Sequence, residues 1–442
     1  MEDVGAVPSV VLLDRTHGYQ DDVNLTHVWD GVNAANDQTF WYTANNRLQN
    51  ASGAYGALTF YYDANGNRTH RIVDQGGGSV ETKVFSYPST SNLIFDVETN
   101  STVTRTFAHD AAGNMSADTR GGVAYQYGYN ANNRLETVST GGLLKGQYVY
   151  NAFEQLVSRT RVNMSPAGTI HLIHDRDGNV IAETDGAGNT VREYVWLQEA
   201  GSAAGATGTN GIPLPLAVIS AVNTATPVTY FVHADHLNRP VAMTGATKQV
   251  VWSASYLPFG GEYQITGPAS LDARFPGQWF QMESGLAYNW HRHYDASLGR
   301  YTQPDPLGFI DGPSRYAYAV NSPQMYVDED GQSSRGVPVP WLIPPVMVPG
   351  TPENQKMAED TERFLQHWFD RFANRSSRGK WQCTASCNVQ PIGNNWCPIA
   401  RVFGQGSGPS EEAACRAAKR NATQSAPAGT YARHCQCRCQ KR

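Results

Sequence analysis

Two acidic turns carry the side chains of this chain that are best suited to acid–base chemistry. Residues 305–308 read Asp-Pro-Leu-Gly, and residues 328–331 read Asp-Glu-Asp-Gly. Asp before Pro or Gly is an ordinary turn residue, and this is the simplest interpretation of both segments. If folding brings Asp305 and Asp328 together, the two carboxylates cannot both ionise easily. One would keep a proton and act as an acid while the other activates water, which is the chemistry of hydrolysis.

Seven cysteines form a second group of reactive side chains, and all of them lie between residues 383 and 439. Their spacing does not match the paired Cys-x2-Cys knuckles of a standard zinc site. Seven is an odd number, so a fully disulfide-bonded monomer would keep one free thiol. Three disulfides with a free thiol and a zinc site therefore both remain open. The candidates for a disulfide or a metal are Cys383, Cys387, Cys397, Cys415, Cys435, Cys437 and Cys439.

A third group, His233, Asp235 and His236, has spacings that a metal ion could use. On a strand, residues 233 and 235 would lie on one face and residue 236 on the other, which disfavours a shared ion. The sequence therefore predicts a turn at this segment. We expect no cofactor.

A short repeat that begins at Trp41 supplies the elements that must position these residues. In each unit an aromatic residue or histidine precedes a five-residue turn rich in Asp, Asn and Gly. Asp and Asn bond their own backbone and Gly supplies positive φ, so each unit is predicted to be a β-hairpin. Stacked hairpins would form a long, curved, meandering sheet. The turns start at residues 43, 63, 88, 110, 130, 151 and 175, in steps of 20 to 25 residues.

Calcium binding by the turns at Asp63 and Asp110 is the less favoured alternative. Thr43, Asn130 and Asn151 fill the same position in other units, and a ligand carboxylate should not be replaceable in this way.

Composition and charge divide the 442 residues into two chemically different parts. Charged residues make up 17% and aromatics 11%, which is typical of a β-rich globular protein. Residues 371–442 contain twelve Lys or Arg and two Asp or Glu, a net charge of +10, whereas the whole chain has −5. No stretch of eighteen apolar residues predicts a membrane span, and the N-terminus lacks the basic segment of a signal peptide.

These features predict six segments. They are an N-terminal segment with an incomplete first repeat (1–40), the repeats (41–199), a loop with further strands (200–273), an aromatic block (274–332), a Pro-rich linker (333–352) and a basic Cys-rich tail (353–442).

The aromatic block has ten Tyr, Phe and Trp residues between Phe275 and Tyr318, separated by Gly and Pro, which predicts a tightly turned β unit. Over nearly sixty residues it resembles the RHS-associated core of the RHS/YD-repeat family, and the upstream units resemble that family's YD repeat. The matching segments are Arg274–Gln278, Glu283–Asn289, Arg292–Asp295, Gly299–Tyr301, Pro304–Gly308, Tyr316–Tyr318 and Asn321–Pro323.

The resemblance implies a β shell that encloses a variable C-terminal toxin, and an aspartyl protease in the core that cuts the toxin free. The family's catalytic positions fall on Arg292, Asp305 and Asp328, with cleavage between Gln332 and Ser333. Two departures leave open whether cleavage survives. Glu329 stands where the family has Pro, which frees φ before the cut, and Gln332 stands where it has Leu.

The resemblance also implies partners. Family arrays are longer, and seven units are too few to close a shell, so we expect a truncated product or the distal end of a split shell. The missing part of the shell, a secretion apparatus and an immunity protein are the implied partners. Export or surface display through a specialised secretion system is the implied location.

The Pro-rich linker is predicted to be extended, and the tail that follows it is predicted to contain two helices. Phe364, Leu365, Trp368 and Phe372 lie on one helical face, and residues 411–421 form a second helix. The charge of +10 suggests a polyanionic partner such as nucleic acid. The sequence assigns no reaction to the tail.

The leading hypothesis is an RHS protein of the polymorphic-toxin type that encloses or presents this tail as an effector. A cell-surface protein that contacts carbohydrate through its aromatic repeats is the alternative. A non-functional remnant with exposed sheet edges is a further one.

Overall fold

The structure, a computed structural model, describes residues 11–20, 24–197, 212–336, 381–391, 400–408, 411–424 and 430–441. The chain forms two compact units, Met1–Leu342 and Ile343–Arg442. The predicted helical face at Phe364–Phe372, most of the predicted linker and Cys397 lie outside the described residues.

One antiparallel sheet of 22 strands dominates the first unit, which confirms the predicted mainly β fold. Each strand pairs with the next strand along the chain, from β1 to β22. Within the described strands no pairing joins β1 to β22, so the sheet is open. The strands are β1 Arg15–Tyr19, β2 Leu25–Asp30, β3 Gln38–Tyr42, β4 Leu48–Gly53, β5 Gly56–Tyr62, β6 Arg68–Asp74, β7 Val80–Ser86, β8 Asp96–Thr99, β9 Thr102–His109, β10 Met115–Arg120, β11 Val123–Tyr129, β12 Leu135–Thr140, β13 Leu143–Tyr150, β14 Leu156–Arg161, β15 Gly168–His174, β16 Val180–Asp185, β17 Thr190–Leu197, β18 Leu214–Ser220, β19 Val228–Ala234, β20 Pro240–Thr244, β21 Val250–Tyr256 and β22 Glu262–Thr266.

The turns follow one hydrogen-bond pattern that explains the repeated Asp/Asn and Gly residues. At Asp63 the backbone N–H donates to the Asn67 carbonyl at 3.0 Å, and Oδ1 accepts the Asn67 N–H at 2.8 Å. Oδ2 accepts the Asn67 side-chain amide at 2.9 Å, so both carboxylate oxygens accept hydrogen bonds from Asn67 within the turn. Gly66 has φ +85°, a conformation that favours Gly or Asn. The side chains of Asp110, Asn130, Asn151, Asp175, Asp185 and Asp235 cap equivalent turns.

In the described residues, a tyrosine or tryptophan at or near the end of seven strands ties its hairpin to the preceding one. Tyr62 Oη donates to the Leu48 carbonyl at 2.7 Å, and Tyr150 Oη donates to the Leu135 carbonyl at 2.7 Å. Each accepting residue directly follows the previous turn and is buried. Equivalent bonds join Tyr42 to Leu25, Tyr87 to Arg68, Tyr129 to Met115, Trp196 to Val180 and Tyr256 to Pro240. We call this series the aromatic ladder.

The sheet curves until its last strands lie beside its first hairpins. Tyr263 on β22 donates to the carbonyl of Ala54, which lies between β4 and β5, at 2.8 Å. The rings of Phe60 on β5 and Phe259 after β21 are 5.1 Å apart. These contacts use side chains and do not close the strand pairing.

The aromatic block forms two small sheets. Strands β23 Trp279–Gln281, β24 Leu286–Asn289, β25 Arg292–Asp295 and β26 Arg300–Tyr301 pair in sequence, and β27 Tyr326–Val327 pairs with β28 Arg335–Gly336. We call residues 274–331 the core segment.

The core segment lies against the hairpins, and arginines of the repeats hold its backbone. Arg134 donates to the His291 carbonyl at 3.0 Å, and Arg159 donates to the Phe280 carbonyl at 3.1 Å. In return, Gln303 donates to the Asn133 carbonyl in a turn at 2.8 Å. The main chain of the core segment is therefore positioned by residues far away in sequence.

The second unit contains three strands and a helix in the described residues. Strands β29 Trp381–Pro391, β30 Ala400–Gly408 and β31 Thr430–Lys441 form a sheet in the order β30–β29–β31. Helix α1, Glu411–Gln424, buries Ala414 and Ala418 against Cys383 and Ala385 of the sheet. The predicted helix at residues 411–421 is thus present, but the three strands beside it were not predicted. Among the described residues, none of the helices is long and apolar enough to cross a lipid bilayer.

Candidate functional site

Arg292 joins the two acidic turns. Its Nη2 lies 2.9 Å from Asp305 Oδ2 and 2.9 Å from Asp328 Oδ2, and all three side chains are buried. Arg292 lies on β25, Asp305 begins a turn after β26, and Asp328 follows β27. One nitrogen of Arg292 therefore contacts both aspartates, and these are the three residues that the family resemblance pointed to.

The Arg292 guanidinium is fixed on all sides. Its Nε donates to the Gly331 carbonyl, and its Nη1 donates to the Arg315 carbonyl at 3.2 Å. Its Cζ atom lies 3.6 Å from the centre of the Tyr301 ring. A planar fork of donors over an aromatic ring is a geometry that arginine provides and lysine does not.

Tyr301 and Asn289 also belong to the site, although no sequence pattern pointed to a role for either. Tyr301 Oη donates to Asp328 Oδ2 at 2.8 Å. Asn289 Nδ2 donates to Tyr301 Oη at 2.7 Å and to the Asp328 carbonyl at 2.8 Å. Both residues lie in segments that match the family core, but their types alone gave no signal because Tyr and Asn are frequent throughout the repeats.

The bond predicted to be cut lies directly against Asp328. Oδ1 of Asp328 accepts the N–H of Gln332 at 3.0 Å and the N–H of Ser333 at 3.2 Å. Gly331 has φ +71°, and a Cβ at this position would lie 2.4 Å from the Asn289 carbonyl oxygen. Asp328 thus contacts Arg292 through one oxygen and the backbone around the Gln332–Ser333 bond through the other.

The chain beyond this bond is also attached to the core segment. Asp311 Oδ2 accepts both the N–H and the Oγ–H of Ser334, each at 2.7 Å. Arg335 and Gly336 form β28, in which Arg335 pairs with Val327.

Burial dominates the electrostatics of the site. It raises the pKa of both Asp305 and Asp328, and the Arg292 guanidinium opposes this rise. The hydrogen bond from Tyr301 also lowers the pKa of Asp328, whereas nearby Asp330 raises it. Burial raises the pKa of Glu329 to about 7, against the opposing charge of Arg335. A buried carboxyl pair with raised pKa values can hold one proton as an acid.

Asp235 and His236 lie in the predicted turn, whereas His233 lies on the preceding strand, β19. Asp235 Oδ1 accepts the N–H of Arg239 at 3.0 Å, and its carboxylate pairs with the Arg239 guanidinium at 2.7 Å. His233 contacts Thr244, and His236 contacts the Gln324 carbonyl. Across the described part of the chain, no three His, Cys, Asp or Glu side chains are grouped to hold a metal.

Six of the seven cysteines form disulfides in the second unit. The pairs are Cys383–Cys439, Cys387–Cys435 and Cys415–Cys437. The first two join β29 to β31, and the third joins α1 to β31. Of the two possibilities left open by the spacing, the structure shows the three-disulfide arrangement.

Several proteins of known name are similar to this chain. Toxin protein Tse5 of Pseudomonas aeruginosa is 36% identical over 121 residues, 27% of this chain and 9% of that protein. Double-stranded DNA deaminase toxin A of Burkholderia cenocepacia is 24% identical over 336 residues, 69% of this chain and 23% of that protein. The probable deoxyribonuclease RhsA of Dickeya dadantii is 36% identical over 105 residues, 23% of this chain and 7% of that protein. No protein-family profile matches the chain.

Stacked hairpins with capped polar turns, and a buried Arg–Asp–Asp site on the segment they hold, define a class of β-repeat proteins. Together with these similarities they support the assignment of the chain as an RHS/YD-repeat protein of the polymorphic-toxin type. The matched segments span less than a quarter of each of these three relatives.

Proposed function

We propose that the chain acts in toxin delivery between competing bacteria, and that its buried Arg–Asp–Asp site cuts the chain after Gln332. In this proposal the β unit encloses or presents the tail, and the protein is exported by a specialised secretion system. The main support for the proposed cleavage is the position of Asp328. One of its oxygens accepts the Ser333 N–H at 3.2 Å, and the other is linked to Asp305 through Arg292.

The proposed reaction is hydrolysis by a carboxyl pair that shares one proton. Asp305 removes a proton from water as the water oxygen bonds to the Gln332 carbonyl carbon. The resulting tetrahedral centre makes the Ser333 nitrogen pyramidal and basic, and protonated Asp328 gives it a proton as the C–N bond breaks. The products are a carboxyl group on Gln332 and an amine on Ser333. Proton exchange between the two carboxyls restores the starting state.

The two departures from the family motif are compatible with cleavage in this geometry. A Cβ on Gly277 would lie 1.8 Å from the Glu329 carbonyl oxygen, so packing restricts the backbone at Glu329 where the family uses Pro. Asp328 contacts the backbone of Gln332 and not its side chain. Gln in place of Leu therefore leaves this backbone contact in place.

The test is the intact mass of the full chain carrying a C-terminal tag. We expect wild type to break between Gln332 and Ser333, and Asp305→Asn and Asp328→Asn to stay whole. Asp272→Asn is the matched control, because Asp272 pairs with Arg159 away from the site. A soluble wild-type chain that remains uncut would refute self-cleavage.

We propose that the tail is the effector and that it binds a polyanion such as nucleic acid. One face of its sheet is covered by α1, and the other presents Arg401, Phe403 and Arg438, all of which are exposed. The strand register places these three on the same face, and the Phe403 side chain is 62% exposed. An exposed aromatic ring between arginines suits base stacking and phosphate contact.

Binding of labelled single-stranded and duplex oligonucleotides to the full chain, measured over a range of salt concentrations, tests this proposal. We expect Phe403→Ala to weaken single-strand binding about tenfold, because a stacked base is lost. Arg438→Ala should reduce the salt dependence, and Gln440→Ala, on the same face, should change neither. Wild-type binding that is undetectable at low salt would argue against a nucleic-acid partner.

Carbohydrate contact is the second candidate function. Trp29 on β2, Trp41 on β3 and Tyr61 on β5 are each 44% or more exposed. Glycan-array binding by the full chain that is lost in Trp41→Ala would favour this function, and so would harmless expression of the tail inside a bacterium. Growth arrest on expression of the tail, relieved by a co-expressed immunity protein, would favour the toxin.

A further inference from the structure

We infer that Asp311 is a positioning residue for cleavage, and that it makes a hydroxyl side chain at residue 334 a specificity determinant. This inference rests on the proposed self-cleavage and concerns the side of the bond that becomes the new N-terminus.

The geometry at Ser334 is specific in two ways. A single oxygen of half-buried Asp311 accepts both the backbone N–H and the Oγ–H of Ser334 at 2.7 Å. Any residue except Pro can donate the backbone bond, but only Ser or Thr can donate the second from that position. Bonds to an ionised acceptor are among the stronger hydrogen bonds in proteins.

The Asp311 contact completes a pair of anchors around the bond to be cut. On the near side, Asp328 and Asp330 both accept the Gln332 N–H at 3.0 Å. On the far side, Asp311 holds Ser334, and β28 pairs with β27 directly before Asp328. The peptide bond between residues 332 and 333 is thus held in place from both sides, beside the carboxyl pair. Holding a reacting bond in place in this way lowers the entropic part of the barrier.

Asp311 also acts on the pair through its charge, since it raises the pKa of Asp305. Replacing Asp311 therefore changes both position and electrostatics. Ser334→Ala removes one hydrogen bond without changing any charge, so it isolates the positioning effect.

The same contacts retain the product. Hydrolysis leaves an ammonium group on Ser333, whose nitrogen already lies 3.2 Å from Asp328 Oδ1. Ser334 stays on Asp311, and β28 stays paired with β27. We therefore expect the cut tail to co-purify with the β unit.

The test is a time course of cleavage after a pulse of cell-free synthesis of the full chain. We expect Ser334→Thr to be cut at close to the wild-type rate, and Ser334→Ala about tenfold more slowly, as the loss of one such bond implies. Asp311→Ala should be slower still, and its cut tail should separate from the β unit on size exclusion. Wild-type rates in both Ser334→Ala and Asp311→Ala would overturn the inference.

A second measurement separates this inference from the proposed function. In the uncut Asp305→Asn chain, we expect the Ser334 amide to be protected from hydrogen exchange and to lose protection when Asp311→Ala is added. Equal exchange in the two chains would overturn the inference whether or not wild type is cut. An uncut wild type with a protected Ser334 amide would refute the cleavage while leaving the Asp311 anchor in place.

Discussion

At the residue scale, the site depends on the shape of one guanidinium group. Arg292 contacts Asp305 and Asp328 and also two backbone carbonyls and an aromatic ring. A lysine ammonium offers a point charge without the planar fork, so it cannot reproduce this set.

Arg292→Lys should therefore abolish self-cleavage and lower the free energy of unfolding by about 3 kcal/mol, because a buried ion pair is broken. Intact mass and urea unfolding of the full chain measure the two effects. Arg335→Lys is the control, since the Arg335 side chain is 52% exposed and lies 3.9 Å from Glu329. Wild-type cleavage in Arg292→Lys would show that charge alone is sufficient.

Glu329 should make stability depend on pH in a defined direction. Its pKa is raised from 4.5 to about 7 by burial, so the folded chain binds more protons than the unfolded chain between these values. The free energy of unfolding should fall as pH rises through this window, by up to about 3 kcal/mol, because ionised Glu329 is disfavoured when buried.

Urea unfolding of Asp305→Asn at pH 5 and pH 8, with and without Glu329→Gln, measures this effect in an uncut chain. The difference between the two chains isolates the effect of Glu329 from that of groups whose contribution to stability changes with pH in the opposite direction. Burial lowers the pKa of His293, for example, to about 3. The folded chain therefore loses stability through this group as the pH falls below 6.5. An equal pH dependence with and without Glu329→Gln would contradict the prediction.

At the element scale, the aromatic ladder accounts for the Tyr that precedes most of the repeat turns. Tyr150→Phe removes only the bond from Oη to the Leu135 carbonyl. We expect it to lower the free energy of unfolding by about 1 kcal/mol. Tyr61→Phe, in which the affected side chain is 47% exposed, should have no measurable effect. Equal effects of the two substitutions on urea unfolding would mean that the ladder adds no stability.

Gly277 tests how packing holds the cleavage segment. Gly277→Ala places a Cβ against the Glu329 carbonyl and should slow cleavage at least tenfold, because the backbone before Gln332 must move. Gly308→Ala is a matched control. Gly308 has a similar φ of +86°, and nothing lies within 4 Å of its Cβ position. Both variants therefore introduce similar backbone strain, but only Gly277→Ala adds a clash with the Glu329 carbonyl. A cleavage time course of the two variants measures the effect of that clash.

The hairpins and their turns could be predicted from sequence because their signals are local. Asp63 and Gly66 act within five residues of each other. The ladder was not predicted, because a Tyr–carbonyl bond such as Tyr150–Leu135 joins two repeats and leaves no pattern besides the Tyr itself. The pairing of β29 with β31 was not predicted because the two strands, and the disulfides that join them, bring together residues 48 and 56 positions apart in sequence.

The site shows the same limit. Asp305 and Asp328 were predicted from a family resemblance, and their turn residues alone indicated only turns. That they meet depends on Arg292, which lies on β25, outside both turns. Asn289 and Tyr301 act through hydrogen bonds to other site residues, so no spacing rule could identify them.

At the scale of the whole molecule, the chain consists of two units with different sources of stability. All three disulfides lie in the second unit, where the core between α1 and the sheet is made largely of Ala and Cys. A small core of this kind depends on covalent links.

Reduction should therefore destabilise only the second unit, by about 2–5 kcal/mol for each disulfide lost. Calorimetry of the uncut Asp305→Asn chain, with and without reductant, measures this change. We expect one transition to shift to lower temperature and a second, from the β unit, to stay in place. A shift of both transitions would show that the units unfold together.

The order of strand pairing also governs when the site can exist. Each strand of the large sheet bonds to its immediate predecessor, so the hairpins can form one after another as the ribosome releases them. The segment with Arg292, Asp305 and Asp328 comes later and needs Arg134, Arg159 and the turn carbonyls already in place. Proteolysis in this protein would thus serve as a quality checkpoint during biogenesis, because only a correctly built scaffold would cut the chain before its tail.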